Sequence, residues 1–540
     1  MLYDSRASAY EKQNRLKDAL RDAKKTIDIA PKQWHGYFRS ARLFAALGQT
    51  DAALRMCLLA LELLGDGPKH EARRRDLTDL RQHLEEQTKC PVSGMPVELL
   101  WTIFQLSGNP VVISHVCRRW REVALSQPTL WRSLMLAAPA KKALLKVQEW
   151  HKRSHGRIAE LSIRRSLAAT IFPSTSDNRH PADHAMYTEL LATLRHLDLT
   201  ELKECHMEDV DAESFISALS DGTAFFHQHM ETLSASYEPP YEVIFGLPDY
   251  AELPWENLRA FSITNGACNW PQLSTSMRHL TSFEYKLEGL VGMFMEFHPF
   301  LQANPGLEKL VIKADIPYRP EAPDLLTLAH LRHLELSGDV PFRIKRGNFS
   351  LPSLRILRMT KLKYALSMLS ELVEDEKTSF AELVEFTART CTLGSEVLTS
   401  VLLQAPKLET LNCTGDAVNV AAESLTKPCI ALLRDPAFED PKPVPTKLPI
   451  LCPALTVLDL SQSANLKTGP VMRIVKERIA LAGSQDGGRY QLPGQDGDRG
   501  ISCIRALRVD ECPHIEAEML PWFRKNVSMF SCRYELRRKR

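Results

Sequence analysis

The sequence predicts a multidomain chain in which helical hairpins and a short three-helix module precede a long α/β repeat solenoid. Three patterns lead to this prediction: a self-similarity at an interval of 34 residues near the start, two apolar stripes at helical spacing within residues 90–136, and a recurring leucine spacing from about residue 158 onward. The length of 540 residues leaves room for several domains. The hydrophobic fraction of 44% and the charged fraction of 25% are those of an ordinary globular protein.

Residues 1–66 repeat a pattern of small and large side chains. A shift of 34 residues places Ala7 on Ala41 and Ala19 on Ala53. Small residues let two helices approach closely, and aromatic rings fill the space beside them. The pattern resembles tetratricopeptide repeats, each of which is a helix pair. A plain pair of helical hairpins is the alternative.

Only two such repeats fit before residue 66, whereas arrays normally need about three. Either the helical segment within 67–89 caps the array, or the chain starts inside a longer one. We expect the second, because the first repeat begins almost at Met1.

Many tetratricopeptide repeats hold the carboxylate at the end of a chaperone with a clamp of Asn, Lys and Arg. The corresponding positions here are Ser5, His35 and Arg39, so only the arginine matches. This departure argues against chaperone-tail binding. We expect a general docking groove for a tethering partner instead.

Residues 90–136 predict three short helices with broad apolar faces. Pro96 can occupy the first position of a helix, where its missing N–H costs nothing. Apolar residues then recur at helical spacing on both sides of the breaker Gly108-Asn109-Pro110. Three short helices bury little core by themselves. Such a module should complete its core against a partner or a neighbouring domain.

The order of residues in this module closely resembles an F-box. The match consists of Met95-Pro96-x-Glu98-Leu99-Leu100-x-x-Ile103-Phe104, then Val116-Cys117-Arg118-Arg119-Trp120-Arg121, then Pro128-x-Leu130-Trp131. In that family, this surface binds the small adaptor of Skp–cullin–F-box ubiquitin ligases. The resemblance implies that nine residues lie in or beneath the adaptor interface: Pro96, Leu99, Leu100, Ile103, Val116, Cys117, Trp120, Leu130 and Trp131.

This module departs from the family pattern in one segment, and a second interpretation of it is open. The segment 105–110 is shorter and less leucine-rich than the usual linker of the family, which bears on adaptor affinity. An ordinary three-helix bundle between two repeat arrays is the other interpretation. We expect Cys117 to lie on an apolar helix face, where a thiol serves packing rather than nucleophilic chemistry.

From about residue 158 the chain repeats the spacing L-x-x-L-x-L. Alternate leucines of one short strand per repeat would face a shared core, with a helix or loop returning on the other side. The pattern resembles the irregular leucine-rich repeats found in F-box proteins and implies an α/β leucine-rich-repeat solenoid over 150–530. Unrelated α/β strands are the alternative. The copies start at Ile158, Leu194, Leu258, Leu280, Leu307, Leu331, Leu354, Leu383, Leu408, Leu455 and Ile504, with a weaker copy at Met230.

Three segments interrupt the predicted solenoid, and a basic tail follows it. The interruptions are loops at about 164–190, 415–453 and 483–500; the second contains a proline-rich run and the third is rich in Gly and Asp. The tail, 531–540, ends in a compact basic run. It is a nuclear import signal, a phosphate contact or simply a solvated end.

Side chains between the leucines should point to the concave side of the solenoid. Four basic residues at such positions are Lys286, Lys313, Arg358 and Arg389. They are candidates for contacts with an acidic or phosphorylated protein substrate. A solvated face is the alternative.

The sequence carries no signature of catalysis, of a metal site or of a cofactor. It has no phosphate loop, no nucleophile elbow and no H-E-x-x-H, and its twelve cysteines form no C-x-x-C. We therefore predict a non-enzyme with thiols in a reducing compartment. The sequence contains no run of about eighteen apolar residues, so we predict no membrane span. The net charge of +2 argues against bulk nucleic-acid binding.

The order of tetratricopeptide repeats, F-box and leucine-rich repeats resembles a small group of fungal F-box proteins. The resemblance implies a substrate receptor of a cullin–RING ubiquitin ligase that acts by proximity. Its implied partners are the adaptor with the cullin–RING core, a substrate on the leucine-rich repeats and a tether on the first repeats. The implied place is the nucleus, in DNA replication and genome stability, with the cytoplasm as the other location. A ligase-independent scaffold and a cytoplasmic co-chaperone are the rival functions.

Overall fold

The computed structural model describes residues 2–64, 70–88, 94–138, 142–165, 181–210, 212–222, 226–237, 243–245, 255–287, 297–315, 326–338, 349–415, 417–425, 429–434, 443–448, 450–483, 489–490 and 499–533. Contacts within the chain divide it into two compact units, Met1–Leu130 and Trp131–Arg540.

The regular structure in the described residues of the first unit is helical. Its α-helices are α1 (Leu2–Lys12), α2 (Leu16–Ile29), α3 (Trp34–Ala46), α4 (Thr50–Leu63), α5 (Glu71–Thr88), α6 (Val97–Ser107), α7 (Pro110–Ser114) and α8 (Arg118–Leu125). A 3₁₀ turn at Pro128–Trp131 follows α8.

Small residues allow α1 to α4 to pack closely. Ala7, Ala19, Ala41 and Ala53 are all fully buried, as the 34-residue spacing of the sequence predicts. Gly36 in α3 marks the closest approach, because a Cβ atom there would lie 3.0 Å from the backbone nitrogen of Ile27. The hairpins are thus present as helix pairs, whereas their membership of the tetratricopeptide family stays a prediction.

Ion pairs tie these helices together across their polar edges. Arg6 of α1 donates two hydrogen bonds to Asp22 of α2, at 2.6 and 2.8 Å. The guanidinium of Arg6 holds the pKa of Asp22 below its usual range. Arg39 of α3 reaches back to Asp4 (3.1 Å) and Glu11 (2.9 Å) of α1. Arg39, the single match to the chaperone clamp, is therefore already engaged by two carboxylates.

The second unit is built on parallel strands. The strands of the chain are β1 (Ser133–Ala138), β2 (Glu160–Arg165), β3 (Glu204–Glu208), β4 (Thr232–Ser236), β5 (Val243–Phe245), β6 (Ala260–Thr264), β7 (Gly266–Cys268), β8 (Ser282–Leu287), β9 (Lys309–Ala314), β10 (Leu326–Thr327), β11 (His333–Ser337), β12 (Phe349–Ser350), β13 (Ile356–Thr360), β14 (Glu385–Arg389), β15 (Thr410–Cys413), β16 (Cys429–Arg434), β17 (Pro443–Leu448), β18 (Val457–Asp459), β19 (Arg489–Tyr490), β20 (Arg499–Gly500), β21 (Ala506–Arg508) and β22 (Met529–Ser531).

Helices alternate with these strands along the second unit. They are α9 (Ala143–Ser154), α10 (Pro181–Leu194), α11 (Ala212–Gly222), α12 (Phe226–His229), α13 (Trp270–Ser276), α14 (Phe297–Ala303), α15 (Ala365–Glu374), α16 (Ser395–Leu403), α17 (Ala417–Ser424), α18 (Thr468–Ala482) and α19 (Leu520–Asn526), with a 3₁₀ turn at Ala517–Met519.

One parallel sheet of fourteen strands runs through the second unit in the order β1-β2-β3-β4-β6-β8-β9-β11-β13-β14-β15-β18-β21-β22. Neighbouring strands pair in register, so that Leu334 of β11 lies beside Leu310 of β9 and Leu357 of β13. All three leucines are fully buried. The prediction of parallel strands with alternating helices and a core of in-register leucines is confirmed, and the arrangement is consistent with a leucine-rich-repeat-like solenoid.

The structure corrects the strand assignment near the start of the solenoid. The spacing at Leu194, Leu197 and Leu199 does not form a strand, because α10 extends to Leu194 and the next strand begins only at Glu204. That strand buries Cys205 and Met207 in place of leucines. The sheet also starts earlier than residue 150, since β1 begins at Ser133.

The predicted loops contain regular structure in their described parts. Helix α10 occupies 181–194 and so overlaps the first loop. The second loop holds α17 and the antiparallel pair β16–β17. In the third, β19 pairs with β20. Residues 166–180, 416, 426–428, 435–442, 449, 484–488 and 491–498 of these loops, and the basic tail from 534, lie outside the described residues.

Candidate docking surface of the helical module

Helices α6 to α8 owe their boundaries to local backbone chemistry. Helix α6 ends at Gly108, which adopts a left-handed conformation with φ of 67°. Asn109 caps α7, because its side-chain oxygen accepts hydrogen bonds from the backbone of Val111 (3.2 Å) and Val112 (3.3 Å). Pro110 then occupies the first turn of α7, as expected for a residue without an N–H.

The three helices enclose a small core. Leu100 and Phe104 of α6 pack with Ile113 of α7 and Val123 of α8 in one cluster. Trp120 of α8 covers Phe104, with 4.9 Å between ring centroids. This core fixes α6, so its opposite face is presented from a rigid support.

The outward face of α6 is also apolar. Leu99, Ile103 and Leu106 are spaced four and three residues apart and therefore lie on one side of the helix. All three are exposed, Leu99 with 54% of its surface. Leu100 and Phe104 lie about 100° further round the helix and are fully buried. Helix α6 thus carries two apolar faces and buries only one of them within the first unit.

Exposed apolar side chains are concentrated in this module. Among the described residues, seven of the eighteen exposed large hydrophobic side chains lie between 94 and 130. They are Leu99, Ile103, Leu106, Val111, Val112, Val116 and Leu125. We call these seven residues the apolar surface. Exposed apolar side chains gathered within one short module often mark a surface that another molecule covers.

Arginine side chains hold the turns beside the apolar surface. Arg119 donates from Nη2 to the carbonyl oxygen of Met95, at 2.5 Å. Arg121 donates from Nε to the carbonyl oxygen of Ser114, at 2.9 Å. These two bonds span 24 and seven residues of the chain. They fix the start of α6 and the end of α7 relative to α8.

The nine residues predicted for the adaptor interface divide by exposure. Pro96, Leu99, Ile103, Val116 and Cys117 are exposed, Trp120 and Leu130 are partly buried, and Leu100 and Trp131 are buried. The exposed members are free to contact a partner, whereas the buried members support the helices from inside.

Cys117 is not on an apolar helix face, so that expectation is wrong. It is the N-cap of α8 with an extended backbone, and its Sγ accepts a hydrogen bond from the backbone of Trp120 at 3.4 Å. The apolar spacing after the breaker does not form one continuous helix, because α7 ends at Ser114 and α8 begins only at Arg118, and this leaves the Cys117 thiol exposed.

Trp131 belongs to the second unit, where it is fully buried. Its ring meets that of Trp150 in α9 with 4.9 Å between centroids. The guanidinium of Arg153 lies over the Trp131 ring at 4.4 Å. Trp131 is therefore a core residue of the first repeat, and any role at an adaptor interface would be indirect.

Sequence reasoning missed four residues of the apolar surface: Leu106, Val111, Val112 and Leu125. A signal was present for two of them, because the run Pro110-Val-Val-Ile-Ser114 offers more apolar side chains than a five-residue helix can bury. Only one of the three, Ile113, is buried. For Leu106 and Leu125 helical spacing alone does not separate an inner from an outer position.

The four basic residues predicted on the sheet face are engaged by their neighbours. Lys286 pairs with Glu284 (2.9 Å), Lys313 with Glu335 (2.6 Å), and Arg358 with Glu385 (2.6 Å). With the Asn412 amide turned so that its oxygen faces Arg389, that oxygen accepts a hydrogen bond from Nη2 of Arg389 at 2.6 Å. Their role in substrate binding stays a prediction, and three of the four charges are already compensated.

Two buried thiols are held in the protonated form, and no metal site stands out in the described part of the chain. Burial raises the pKa of the Cys205 and Cys413 thiols to about 12. No group of three His, Cys, Asp or Glu side chains among the described residues is arranged to hold a metal ion. None of the helices in the described ranges has the length and apolar character needed to span a bilayer.

Comparison with known proteins identifies the helical module. The family model described as F-box-like matches residues 92–137, which contain the whole apolar surface. No curated protein matches the chain. A solved structure described as a TLR13–ssRNA13 complex is 12% identical with a TM-score of 0.35; the match covers 70% of this chain and 46% of that one, so this chain spans under half of its length.

Proposed function

We propose that this protein is a substrate-recognition subunit of a Skp–cullin–F-box E3 ubiquitin ligase. The observation that carries the proposal is the F-box-like module, with its apolar surface outside and its own core inside. The adaptor would lie on Leu99, Ile103 and Val116. Leu100 and Trp120 would hold these contacts in position from beneath.

The proposed mechanism is proximity. A receptor that holds a substrate near a charged ubiquitin-conjugating enzyme raises the effective concentration of the reacting groups without supplying a catalytic side chain. F-box proteins are generally non-catalytic adaptors, and the match of residues 92–137 to that family supports this role.

The remaining parts of the proposal concern the two flanking regions. We assign substrate binding to the strand-and-helix repeats of the second unit and a tethering partner to helices α1 to α5. The nucleus, with substrates in DNA replication and genome stability, is the proposed place of action. Support for these assignments comes from the order of the three regions in the sequence.

The adaptor proposal is tested by a binding measurement on purified full-length protein. The double variant Leu99→Asp/Ile103→Asp places charge on two exposed positions, so it should leave the helical core intact. We expect its affinity for the adaptor–cullin complex to fall by about thirtyfold or more, the effect of losing a central interface residue. Leu145→Asp is the matched control, because Leu145 is a leucine of similar exposure (62%) outside the module.

The same measurement decides the rival function, a ligase-independent scaffold. Only Gly108 and Asn109 separate α6 from α7, and this short connection favours the rival interpretation. If the folded wild-type protein fails to bind the adaptor–cullin complex, the receptor proposal is wrong and the scaffold is the better account. Circular dichroism of each variant establishes that it is folded.

A further inference from the structure

The residues that precede the first thirteen strands of the fourteen-stranded sheet form a second ladder of backbone hydrogen bonds. From the second member onward, each residue donates its N–H to the carbonyl of the one before, at distances of 2.7 to 2.9 Å. We call this series the N-terminal rim. Its members are Arg132, Ala159, Lys203, Glu231, Arg259, Thr281, Glu308, Arg332, Arg355, Val384, Glu409, Thr456 and Arg505.

The N-terminal rim carries twice as many basic as acidic residues. Six of its thirteen residues are Arg or Lys and three are Glu. The ladder holds their backbones at the spacing of adjacent strands, roughly 4.8 Å. The side chains of the rim therefore start from evenly spaced backbone positions in one row.

The charges of this row are compensated at its beginning and uncompensated further along. Arg132 pairs with Glu201 (2.6 Å) and Lys203 with Glu231 (2.6 Å). Among the described residues, the side chain of Arg259 donates only to backbone carbonyls, one of them that of Glu256 at 2.7 Å. Arg332 and Arg355 are exposed and form no salt bridge with any described residue.

Arg332 and Arg355 are direct neighbours, since the N–H of Arg355 donates to the carbonyl of Arg332 at 2.9 Å. Like charges side by side on adjacent strands destabilise a sheet unless another group compensates them. Arg278 adds a further exposed cation, one residue before His279, whose carbonyl accepts from Arg259 at 3.4 Å. Beside these four arginines lie two exposed carboxylates, Glu308 of the rim and Glu256, neither of which forms an ion pair with a described residue.

On the sheet face of the same strands, several basic side chains are paired with carboxylates. Lys313 and Arg358 are held by Glu335 and Glu385 in a continuous series of ion pairs. On the sheet face the side chain of Arg389 contacts, among the described residues, only the neutral amide of Asn412, whereas Lys313 and Arg358 are paired, so more of the uncompensated positive charge of these strands lies at the rim. A cleft of about 630 Å³ lies at the start of the rim, with Arg259 as one of its lining residues.

We propose that Arg259, Arg278, Arg332 and Arg355 bind an acidic, extended segment of a partner protein. The guanidinium groups would take the carboxylates of the segment in charge-assisted hydrogen bonds, for which Arg is well suited. From Arg259 to Arg355 the rim spans four strand intervals, roughly 19 Å, or about six residues of extended chain. The net charge of the chain, only +2, favours a short acidic peptide over a long nucleic acid.

The experiment measures binding of a fluorescein-labelled peptide of about ten alternating Glu and Ser residues to the full chain, a length that exceeds the rim stretch. A peptide with Gln in place of Glu and a single-stranded oligonucleotide serve as comparison probes. The variant Arg259→Gln/Arg278→Gln/Arg332→Gln/Arg355→Gln removes four charges but keeps polar, flexible side chains. We expect at least about tenfold weaker binding of the acidic peptide, from four exposed charge pairs together.

A second quadruple variant controls for net charge. Arg55→Gln/Arg473→Gln/Arg508→Gln/Arg524→Gln removes the same number of exposed arginines away from the rim, including Arg508 on the sheet face. We expect it to bind the acidic peptide as the wild type does. Equal losses in both variants, equal binding of the Gln peptide, or tighter rim-dependent binding of the oligonucleotide would each overturn the proposal.

The test does not depend on the adaptor, because the probe is added to the chain alone. Circular dichroism and urea unfolding of both variants establish that they are folded. If the rim quadruple variant is unfolded, the double variant Arg332→Gln/Arg355→Gln replaces it, with about a threefold loss expected from two charge pairs.

Discussion

Glu335 lies at the centre of the ion pairs on the sheet face. Its side chain is only 17% exposed and faces His333 at 3.7 Å, Lys313 at 2.6 Å and Arg358 at 3.6 Å. His333 and Lys313, with Arg358, hold the pKa of Glu335 at about 2, against the opposing effect of burial. The ordinary value is 4.5.

This lowered pKa predicts a pH-dependent contribution to stability. A carboxyl group with a lower pKa in the folded state stabilises fully above its unfolded pKa, and the contribution is lost as the pH falls from 4.5 toward 2. We expect Glu335→Gln to lower the free energy of unfolding at pH 7 by about 1–3 kcal/mol, and by less at pH 3. Urea unfolding at both pH values measures this difference.

Glu256→Gln is the control for this measurement, because Glu256 is exposed and its side chain forms no ion pair with a described residue. We expect a change within about 0.5 kcal/mol at either pH. An effect of Glu335→Gln that is the same at pH 7 and pH 3 would contradict the assignment of a low pKa to this carboxyl group.

At the scale of the element, Arg478 connects α18 to the strands beside it. It is almost fully buried and donates to the carbonyls of Leu451 (2.8 Å), Cys452 (2.9 Å), Leu455 (3.4 Å) and Ser502 (3.4 Å). These carbonyls lie in the turns that lead into β18 and β21, so one guanidinium ties both turns to α18; of the four carbonyls, that of Cys452 also accepts from the backbone of Leu455 at 3.0 Å.

We predict that Arg478→Met destabilises the protein by about 2–4 kcal/mol, because methionine fills the space but leaves several buried carbonyls without donors. Arg473→Met on the same helix is the control. Arg473 is exposed, and we expect its replacement to change stability by less than about 0.5 kcal/mol. Thermal unfolding of the two variants is the measurement. Equal melting temperatures would show that the carbonyls do not depend on Arg478.

Two helical glycines offer a matched pair with opposite expectations. A Cβ atom on Gly36 would lie 2.7 Å from the Ile27 side chain and 3.0 Å from its backbone nitrogen, whereas a Cβ atom on Gly469 would meet nothing within 4 Å. Alanine favours a helix over glycine by about 1 kcal/mol. We therefore expect Gly469→Ala to stabilise by up to about 1 kcal/mol. Gly36→Ala should destabilise by about 1–2 kcal/mol, since the backbone of α2 cannot yield. If both substitutions stabilise the protein, the backbone of α2 shifts to make room for the added methyl group and the expectation for Gly36 is wrong.

The strands were predictable wherever leucines occupy the core positions, because alternate side chains of a strand share one face. The prediction failed at β3, where Cys205 and Met207 take these positions while Leu194, Leu197 and Leu199 imitate the spacing. It missed β1 because Trp131 stands where the repeat has its first leucine. A core position accepts any apolar side chain of suitable size. A pattern defined by leucines alone therefore misses strands that place other apolar residues there.

The docking surface was predictable in composition but not in orientation. The F-box resemblance selected Leu99 and Leu100 together, and only the packing of Phe104 and Ile113 decides that Leu100 is inside and Leu99 outside. The exposed thiol of Cys117 depends on where α8 begins, and helix ends are the least certain part of a sequence-based assignment. Charge compensation across strands likewise depends on register, so the free arginines of the N-terminal rim could not be recognised beforehand.

At the scale of the whole molecule, the chain consists of two compact units that meet in sequence between Leu130 and Trp131. Each unit buries its own apolar residues: the first in clusters around Ala41 and around Leu100, the second around the in-register leucines of the sheet. Separate cores of this kind usually unfold as separate cooperative units. We therefore expect two transitions in scanning calorimetry of the full chain.

The two element variants assign these transitions. Gly36→Ala alters only the packing of α2 and α3, so it should lower the transition of residues 1–130 and leave the other in place. Arg478→Met should lower only the transition of residues 131–540, by several degrees for a loss of about 2–4 kcal/mol. If either variant moves both transitions together, or if the wild type unfolds in one step, the two units depend on each other for stability. A receptor of two separable units would also keep adaptor binding in Arg478→Met, because every residue of the apolar surface lies before Trp131.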